Sequence, residues 1–280
     1  MSNHQSPSMK HRSIAFIGGG NMARSLIGGL VATGMRPGDI LVAEPVAELR
    51  DALVRDFGIQ VHAEAAQVAD AGTWVFAVKP QVMRGVCESL TSAAQSHRPL
   101  VISIAAGITA AQLDRWLGGD IAAVRTMPNT PALLGAGITA LFANARVDGA
   151  GREAAERLLA AAGKTTWIDD EALMDAVTAV SGSGPAYVFL LAEAMEAAAR
   201  KQGLPADTAR ALVLQTVLGA ARMLTGSGEV PAELRRRVTS PGGTTQAAVE
   251  TFQSGGFESL VDAAIAAATE RGRQLSAAND

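Results

Sequence analysis

Residues Ser13-Ile-Ala-Phe-Ile-Gly-Gly-Gly-Asn-Met-Ala23 constrain the fold more than any other stretch of the chain. Ile14 to Ile17 is a short apolar run that reads as a buried strand. It breaks at Gly18-Gly19-Gly20, and Met22 to Leu30 then has the small and apolar residues of a packed helix. Strand, glycine turn and helix in that order match the Gly-x-Gly-x-x-Ala fingerprint of a dinucleotide site, here Gly18, Gly20 and Ala23. Gly18 permits the tight turn, Gly20 lets backbone approach a pyrophosphate, and Ala23 lets helix and strand pack closely. The helix start offers unsatisfied N–H groups and a positive dipole end to phosphate. Glycine clusters also make ordinary turns, so the weight rests on context: this one follows the first strand of the chain.

Beyond that turn, strands and helices alternate. Ile40 to Ala43 reads as a second strand ending at Glu44, an acid placed to hold an adenosine ribose 2′-OH, with a solvated charge before Pro45 as the alternative. Ala47 to Phe57 is helical and stops at Gly58, Gln60 to His62 is a short third strand, and a small helix follows around Glu64 to Asp70. Thr73 to Val78 is a buried strand ending at Lys79-Pro80-Gln81. Pro99 to Ile104 is another, followed by Ala105-Ala106-Gly107. Strands at Ile121–Arg125, Ile138–Phe142 and Thr165–Ile168, with a helix at Arg152–Ala162, complete the series. This alternation predicts a parallel, doubly wound α/β sheet whose strand ends face a ligand crevice.

From Asp169 strand-like runs vanish. Helices are expected at about Glu171–Val180, Pro185–Gln202, Pro205–Leu224, Pro231–Val238, Thr244–Ser254 and Phe257–Ser276. The chain therefore divides into a dinucleotide-binding domain over 1–168, with a flexible tail at 1–12, and an all-helical domain over 169–280. Several of these helices are apolar on more than one face, which predicts burial against a second subunit. A net charge of −3 without a long basic run gives no nucleic-acid footprint. The most apolar long stretch, Ala186 to Ala199, is interrupted by Glu193 and Glu196 well short of a membrane span. Cys87 is the only cysteine, so there is no internal disulfide, and the tail lacks the apolar core of a secretory signal. A cytoplasmic location is the expectation.

The ionisable inventory narrows the chemistry. His4, His11, His62 and His97 all lie in the first third of the chain, and no His/Asp/Glu cluster has zinc spacing. The helical half has no histidine and one lysine, Lys201, at an expected helix end before Gly203. It offers instead two polar glycine-rich turns, Ser181-Gly-Ser-Gly-Pro185 and Thr239-Ser-Pro-Gly-Gly-Thr-Thr245, at helix starts where N–H groups can hold a carboxylate. Either turn could equally be a helix cap. Hydroxyls and amides without strong acids suit a hydride acceptor that arrives activated, such as a protonated imine, and needs positioning.

Ile17-Gly-Gly-Gly-Asn-Met-Ala23, Ala77-Val-Lys-Pro-Gln81, Met127-Pro-Asn-Thr-Pro131, Val180-Ser-Gly-Ser-Gly-Pro-Ala-Tyr-Val-Phe189 and Thr239-Ser-Pro-Gly-Gly-Thr-Thr245 together resemble the pyrroline-5-carboxylate reductase family. They occur in the family's order and span nearly the whole chain. The resemblance implies reduction of 1-pyrroline-5-carboxylate to L-proline with NADH or NADPH, the final step of proline biosynthesis. It also implies a Rossmann domain followed by a helical dimerisation domain, with homodimers often assembled into larger rings. Carried over residue by residue, Gly18, Gly20, Asn21 and Met22 contact the cofactor phosphates, while Val78, Lys79, Pro80 and Ala106 line its ribose and nicotinamide side. Gly243, Thr244 and Thr245 bind the substrate carboxylate through backbone N–H groups, the Thr245 hydroxyl lies against the ring nitrogen as the catalytic contact, and Glu171 matches an acidic position near the substrate.

The chain departs from the family pattern at the adenosine end. Glu44 stands where a serine or basic residue is frequent, and Glu64 where an asparagine is usual. Two carboxylates there would repel a 2′-phosphate and favour a hydroxyl, an expectation of NADH preference. Arg235-Arg-Arg237 is a further difference, readable as a reach toward the cofactor or as solvated helix charge. Two rival readings are a 3-hydroxyacid-type dehydrogenase, disfavoured by the missing cleft lysine, and a cofactor-sensing scaffold without chemistry.

Overall fold

A computed structural model describes residues 13–278. The expected tail at 1–12 lies outside the described residues. The chain forms two compact units, one of residues up to Ser183 together with those from Ala268 on, the other of Gly184–Ala267.

The first unit is built on one sheet of eight strands: β1 (Ile14–Ile17), β2 (Ile40–Ala43), β3 (Gln60–His62), β4 (Thr73–Phe76), β5 (Leu100–Ser103), β6 (Ala123–Met127), β7 (Gly137–Ala143) and β8 (Gly163–Trp167). Their order across the sheet is β3-β2-β1-β4-β5-β6-β7-β8. The direction of winding reverses between β1 and β4, which pair in parallel with Ile17 opposite Phe76. Alternate side chains feed two cores: Ile14 and Phe16 point to one, Ala15 and Ile17 to the other. Burial on both faces is why these strands read as unbroken apolar runs.

The sheet is not wholly parallel as the alternation predicts. β6 and β7 pair antiparallel, Met127 opposite Ala140. The segment between them contains a short 3-10 helix, Thr130–Leu134, and no crossover helix. A parallel return needs a dozen or more connecting residues, so this short link turns the chain straight back.

The compact division also falls later than 168/169. After β8 the chain makes a 3-10 turn at Glu171–Leu173, an α-helical turn at Met174–Val177 and a π-helical turn at Thr178–Gly182. Met174 and Ala179 are buried, which keeps this segment with the sheet. The expected open turn at Ser181–Pro185 is thus partly helical, and a helix continues over Gly184–Lys201.

In the second unit the helices Gly184–Lys201 and Ala206–Gly226 pack side by side, followed by Pro231–Arg237, Thr244–Ser254 and the long helix Phe257–Ala278, whose last turns belong to the first unit. Of the apolar side chains in 184–267, Ala209 and Val213 alone are buried. Phe189, Leu190, Phe252 and Leu260 are each more than half exposed. Tyr187, Leu191, Phe252, Phe257, Leu260 and Val261 line an apolar groove of about 580 Å³ on this unit. So much uncovered apolar surface marks an interaction face.

Candidate active site

The crevice of a doubly wound sheet lies outside the carboxyl ends of its strands at the switch point, here β1 beside β4. The glycine turn sits there. Gly18 has φ +102° and donates its N–H to the Ala43 carbonyl at 2.8 Å. A Cβ on it would stand 2.7 Å from the Ala77 carbonyl oxygen, so only glycine lets the β1 turn pass the end of β4. A Cβ on Gly20 would meet nothing within 4 Å, leaving an open approach to the backbone. The helix Asn21–Ala32 starts immediately after, with no side-chain cap. Asn21 is exposed and Met22 half-buried at that start. An uncapped helix N-terminus behind a side-chain-free turn fits a dinucleotide pyrophosphate.

Glu44 ends β2 beneath this turn and is 6% exposed. Its Oε2 accepts the Gly19 N–H at 2.8 Å and its Oε1 accepts the Val46 N–H at 2.9 Å. The carboxylate therefore clamps the glycine turn while retaining lone pairs for a ribose hydroxyl. Glu64 follows the neighbouring β3 and caps the 3-10 helix Ala65–Val68. Arg50, on the helix Ala47–Phe57, donates to the carbonyls of Glu44 and Pro45 at 2.7 and 2.8 Å. That places a cation at the backbone of Glu44, which the residue pattern alone did not disclose.

Lys79 and Pro80 start the helix Pro80–Ser89 after β4, with Val78 half-buried before them. Ala106 is exposed in the turn after β5. That turn is fixed from beneath: Ser103 Oγ accepts the Ala105 N–H at 3.3 Å, and Thr126 Oγ1 donates to the Ser103 carbonyl at 2.9 Å. All the residues assigned to the cofactor thus stand along one edge of the first unit. A separate cavity of about 680 Å³ lies at the opposite edge, lined by Ile14 and Thr73 at the amino ends of β1 and β4. Cys87 is buried, which pushes its thiol up to about 12 and removes it from thiolate chemistry.

Glu171 belongs to the first unit as well. Its Oε1 accepts the Ala110 N–H at 2.8 Å and an Arg125 N–H at 3.2 Å, so this oxygen already has two donors. In the second unit, Gly243 is the N-cap of the helix Thr244–Ser254, again with no side-chain cap. Gly242, at φ +70°, donates its N–H to Gln246 Oε1 at 2.6 Å, and Gly243 donates to the Ser240 carbonyl at 3.0 Å. Thr245 is half-buried in that first turn and Thr244 is exposed. Arg237 is held by Glu229 at 2.7 Å and Glu233 at 3.0 Å, and Arg236 and Arg237 together hold the Glu233 carboxyl below its usual range.

The sheet order and the glycine turn define a Rossmann-type dinucleotide-binding protein. A family model described as NADP oxidoreductase, coenzyme F420-dependent, matches residues 13–107, and one described as pyrroline-5-carboxylate reductase dimerisation matches residues 171–275. The chain is 54% identical over 264 residues to a pyrroline-5-carboxylate reductase of Pseudomonas aeruginosa, covering 94% of this chain and 96% of that one. Its structure is similar to that of a pyrroline-5-carboxylate reductase from Coxiella burnetii, with a TM-score of 0.91 and 42% identity over 95% of this chain and 98% of that one. It is also similar to the Plasmodium falciparum pyrroline carboxylate reductase with NADP bound, at a TM-score of 0.83 and 27% identity over 96% of this chain and all of that one. The chain belongs to the pyrroline-5-carboxylate reductase family. It is an NAD(P)-dependent oxidoreductase with a helical dimerisation domain. Among the described residues no helix is long and apolar enough to cross a membrane.

Proposed function

We propose that this chain reduces 1-pyrroline-5-carboxylate to L-proline with NADH or NADPH, the last step of proline biosynthesis. The observation that carries the reading is a pair of uncapped, glycine-led helix starts in one chain, at Gly20 and at Gly243. The first suits a pyrophosphate and the second a carboxylate, the two anions this reaction must hold. Gly18, Gly20, Asn21 and Met22 bind the phosphates, and Val78, Lys79, Pro80 and Ala106 line the ribose and nicotinamide side. The nicotinamide, when bound, supplies the hydride. Thr244 and Thr245 hold the substrate carboxylate through N–H groups at the helix start that Gly243 leads, and the Thr245 hydroxyl lies against the ring nitrogen. A protonated imine carbon is already electrophilic, so these residues need only orient it.

Functionally we divide the chain at 168/169, where the last strand has ended and the dimerisation match is about to begin. The exposed apolar side chains of the second unit support a homodimer, and we extend that to larger rings of dimers in the cytoplasm. The test is nicotinamide oxidation on adding 1-pyrroline-5-carboxylate, with NADH and NADPH in parallel and proline assayed as product. Oxidation without proline, or cofactor binding without oxidation, would reject the reading. In the same assay Thr245→Ala should lower turnover about 100-fold, the cost of losing one positioned hydrogen-bond partner of the ring N–H, while cofactor affinity is unchanged. An equal fall in both would remove the role given to Thr245.

The carboxylates Glu44, after β2, and Glu64, after the neighbouring β3, support a preference for NADH. Glu44→Ser removes a charge that repels a 2′-phosphate, but it also releases the Gly19 N–H. The expected result is a higher NADPH-to-NADH efficiency ratio with weaker binding of NADH itself. An unchanged ratio would eliminate charge repulsion as the discriminator and turn attention to Arg50.

A further inference from the structure

Two of the sequence motifs, Met127-Pro-Asn-Thr-Pro131 and Ser181-Gly-Ser-Gly-Pro185, have no part in the chemistry above, yet the structure joins them. In a continuing α-helix the Ser181 carbonyl would accept the N–H of residue 185. Residue 185 is proline and has no N–H to give. Asn129 fills the vacancy: its Nδ2 donates to the Ser181 carbonyl at 3.2 Å. The same side chain is held at its other arm, where Oδ1 accepts the Ile138 N–H at 3.0 Å, and the Asn129 carbonyl accepts the Ala132 N–H at 3.1 Å. Asn129 is thus a rigid fork fixed to the start of β7.

The turn it reaches is the π-helical one, Thr178–Gly182, closed by the Ser183 N–H donating to the Thr178 carbonyl at 2.8 Å. π-helical turns are uncommon, and those that occur are frequently at functional sites. Gly182 packs so closely on Met127 that a Cβ there would stand 2.5 Å from the methionine's terminal methyl. Met127 ends β6, on the same edge of the sheet as the turns after β4 and β5. The π turn therefore stands at the carboxyl edge, on the side where Val78, Lys79, Pro80 and Ala106 are assigned to the nicotinamide.

We propose that Asn129 is a positioning residue that supplies the hydrogen-bond donor Pro185 lacks, and so fixes the π turn at the nicotinamide side of the crevice. Its bearing on turnover rests on the reductase reading; its bearing on the turn does not. Asn129→Asp keeps the size and the acceptor for Ile138 but sets an oxygen against the Ser181 carbonyl. Pro185→Ala returns an N–H to that carbonyl from within the chain.

The expected result for Asn129→Asp is a fall in kcat of about tenfold or more, since small misplacements near reacting atoms are costly. Cofactor affinity, measured by nicotinamide fluorescence, should stay within about twofold, because the phosphate turn is untouched. In the cofactor-free protein the Ser183 amide should exchange with solvent faster than in the parent. Adding Pro185→Ala to Asn129→Asp should restore most of kcat and of the Ser183 protection, whereas Pro185→Ala alone stays near the parent. Parent-like kcat and protection in Asn129→Asp, or a loss that Pro185→Ala does not relieve, would overturn the proposal. If Asn129→Asp does not fold, Asn129→Ala with and without Pro185→Ala decides the same question. If the parent itself forms no proline, the reductase reading fails, and the amide exchange still judges Asn129.

Discussion

Gly18→Ala is expected to lower the stability of the protein and to destroy cofactor binding, while Gly20→Ala should leave stability at the parent value and weaken cofactor binding alone. The two glycines are two residues apart, and their surroundings match the different roles the fingerprint gives them. At Gly18 the backbone is at φ +102°, and a Cβ would stand 2.7 Å from the Ala77 carbonyl oxygen and 2.8 Å from its carbon. Backbone cannot swing aside as a side-chain tip can. Left-handed strain costs about 1–3 kcal/mol, and overpacking in a filled site costs about 1–3 kcal/mol more. At Gly20 the backbone is at φ −68° and ψ −177°, which alanine adopts freely, and the added methyl meets nothing. That methyl would occupy the approach to the helix N-terminus, and a loss of about 1.4 kcal/mol there is tenfold in affinity. Thermal unfolding and nicotinamide fluorescence on both variants separate the effects. Parent-like melting of Gly18→Ala would show that the turn relaxes at no cost. Parent-like cofactor affinity in Gly20→Ala would deny the turn its phosphate role.

What was legible in the sequence follows from how local each signal is. The helix Ala47–Phe57 and the strands β1, β2 and β3 have the bounds the pattern predicts, because apolar runs and the Gly58 stop are local facts. The antiparallel turn into β7 was not legible, since Ile138–Phe142 has the same apolar run whichever way it pairs. The clamp of Glu44 on Gly19 and the reach of Asn129 to Ser181 span 25 and 52 residues, distances over which composition carries no signal. Pro185 was the available clue to the second of these. A proline that follows directly on a helical turn leaves the carbonyl four residues back without its α-helical donor, and a polar side chain elsewhere can provide one.

Arg125→Ala is expected to be the most damaging single change away from the cofactor turn. Arg125 lies in β6 among apolar neighbours and its side chain is 4% exposed, facing Glu171 at 3.2 Å and Asp175 at 3.6 Å. Both acids are tied further. Glu171 also takes the Ala110 N–H, and Asp175 Oδ1 accepts from Ser276 Oγ at 3.4 Å in the last helix. Gly272 on that helix leaves room for Asp175, whose carboxylate would be 3.2 Å from a Cβ. One guanidinium therefore ties the sheet, the segment after β8 and the end of the chain within the first unit. Removing it strands two partly buried carboxylates, which costs about 3–5 kcal/mol when a buried pair is broken from one side. Replacing all three charges, as Arg125→Met with Glu171→Gln and Asp175→Asn, should recover most of the loss, because no uncompensated charge remains. All three tryptophans, Trp74, Trp116 and Trp167, lie in the first unit, so their fluorescence during denaturant unfolding reports on this cluster. The same series decides what Glu171 does. If it binds substrate, as the family resemblance implies, Glu171→Gln raises KM with little change in stability. If it serves Arg125, Glu171→Gln lowers stability, KM holds, and the triple variant turns over normally. The two donors already on its Oε1 favour the second outcome, and a raised KM in a fully stable Glu171→Gln protein would refute it.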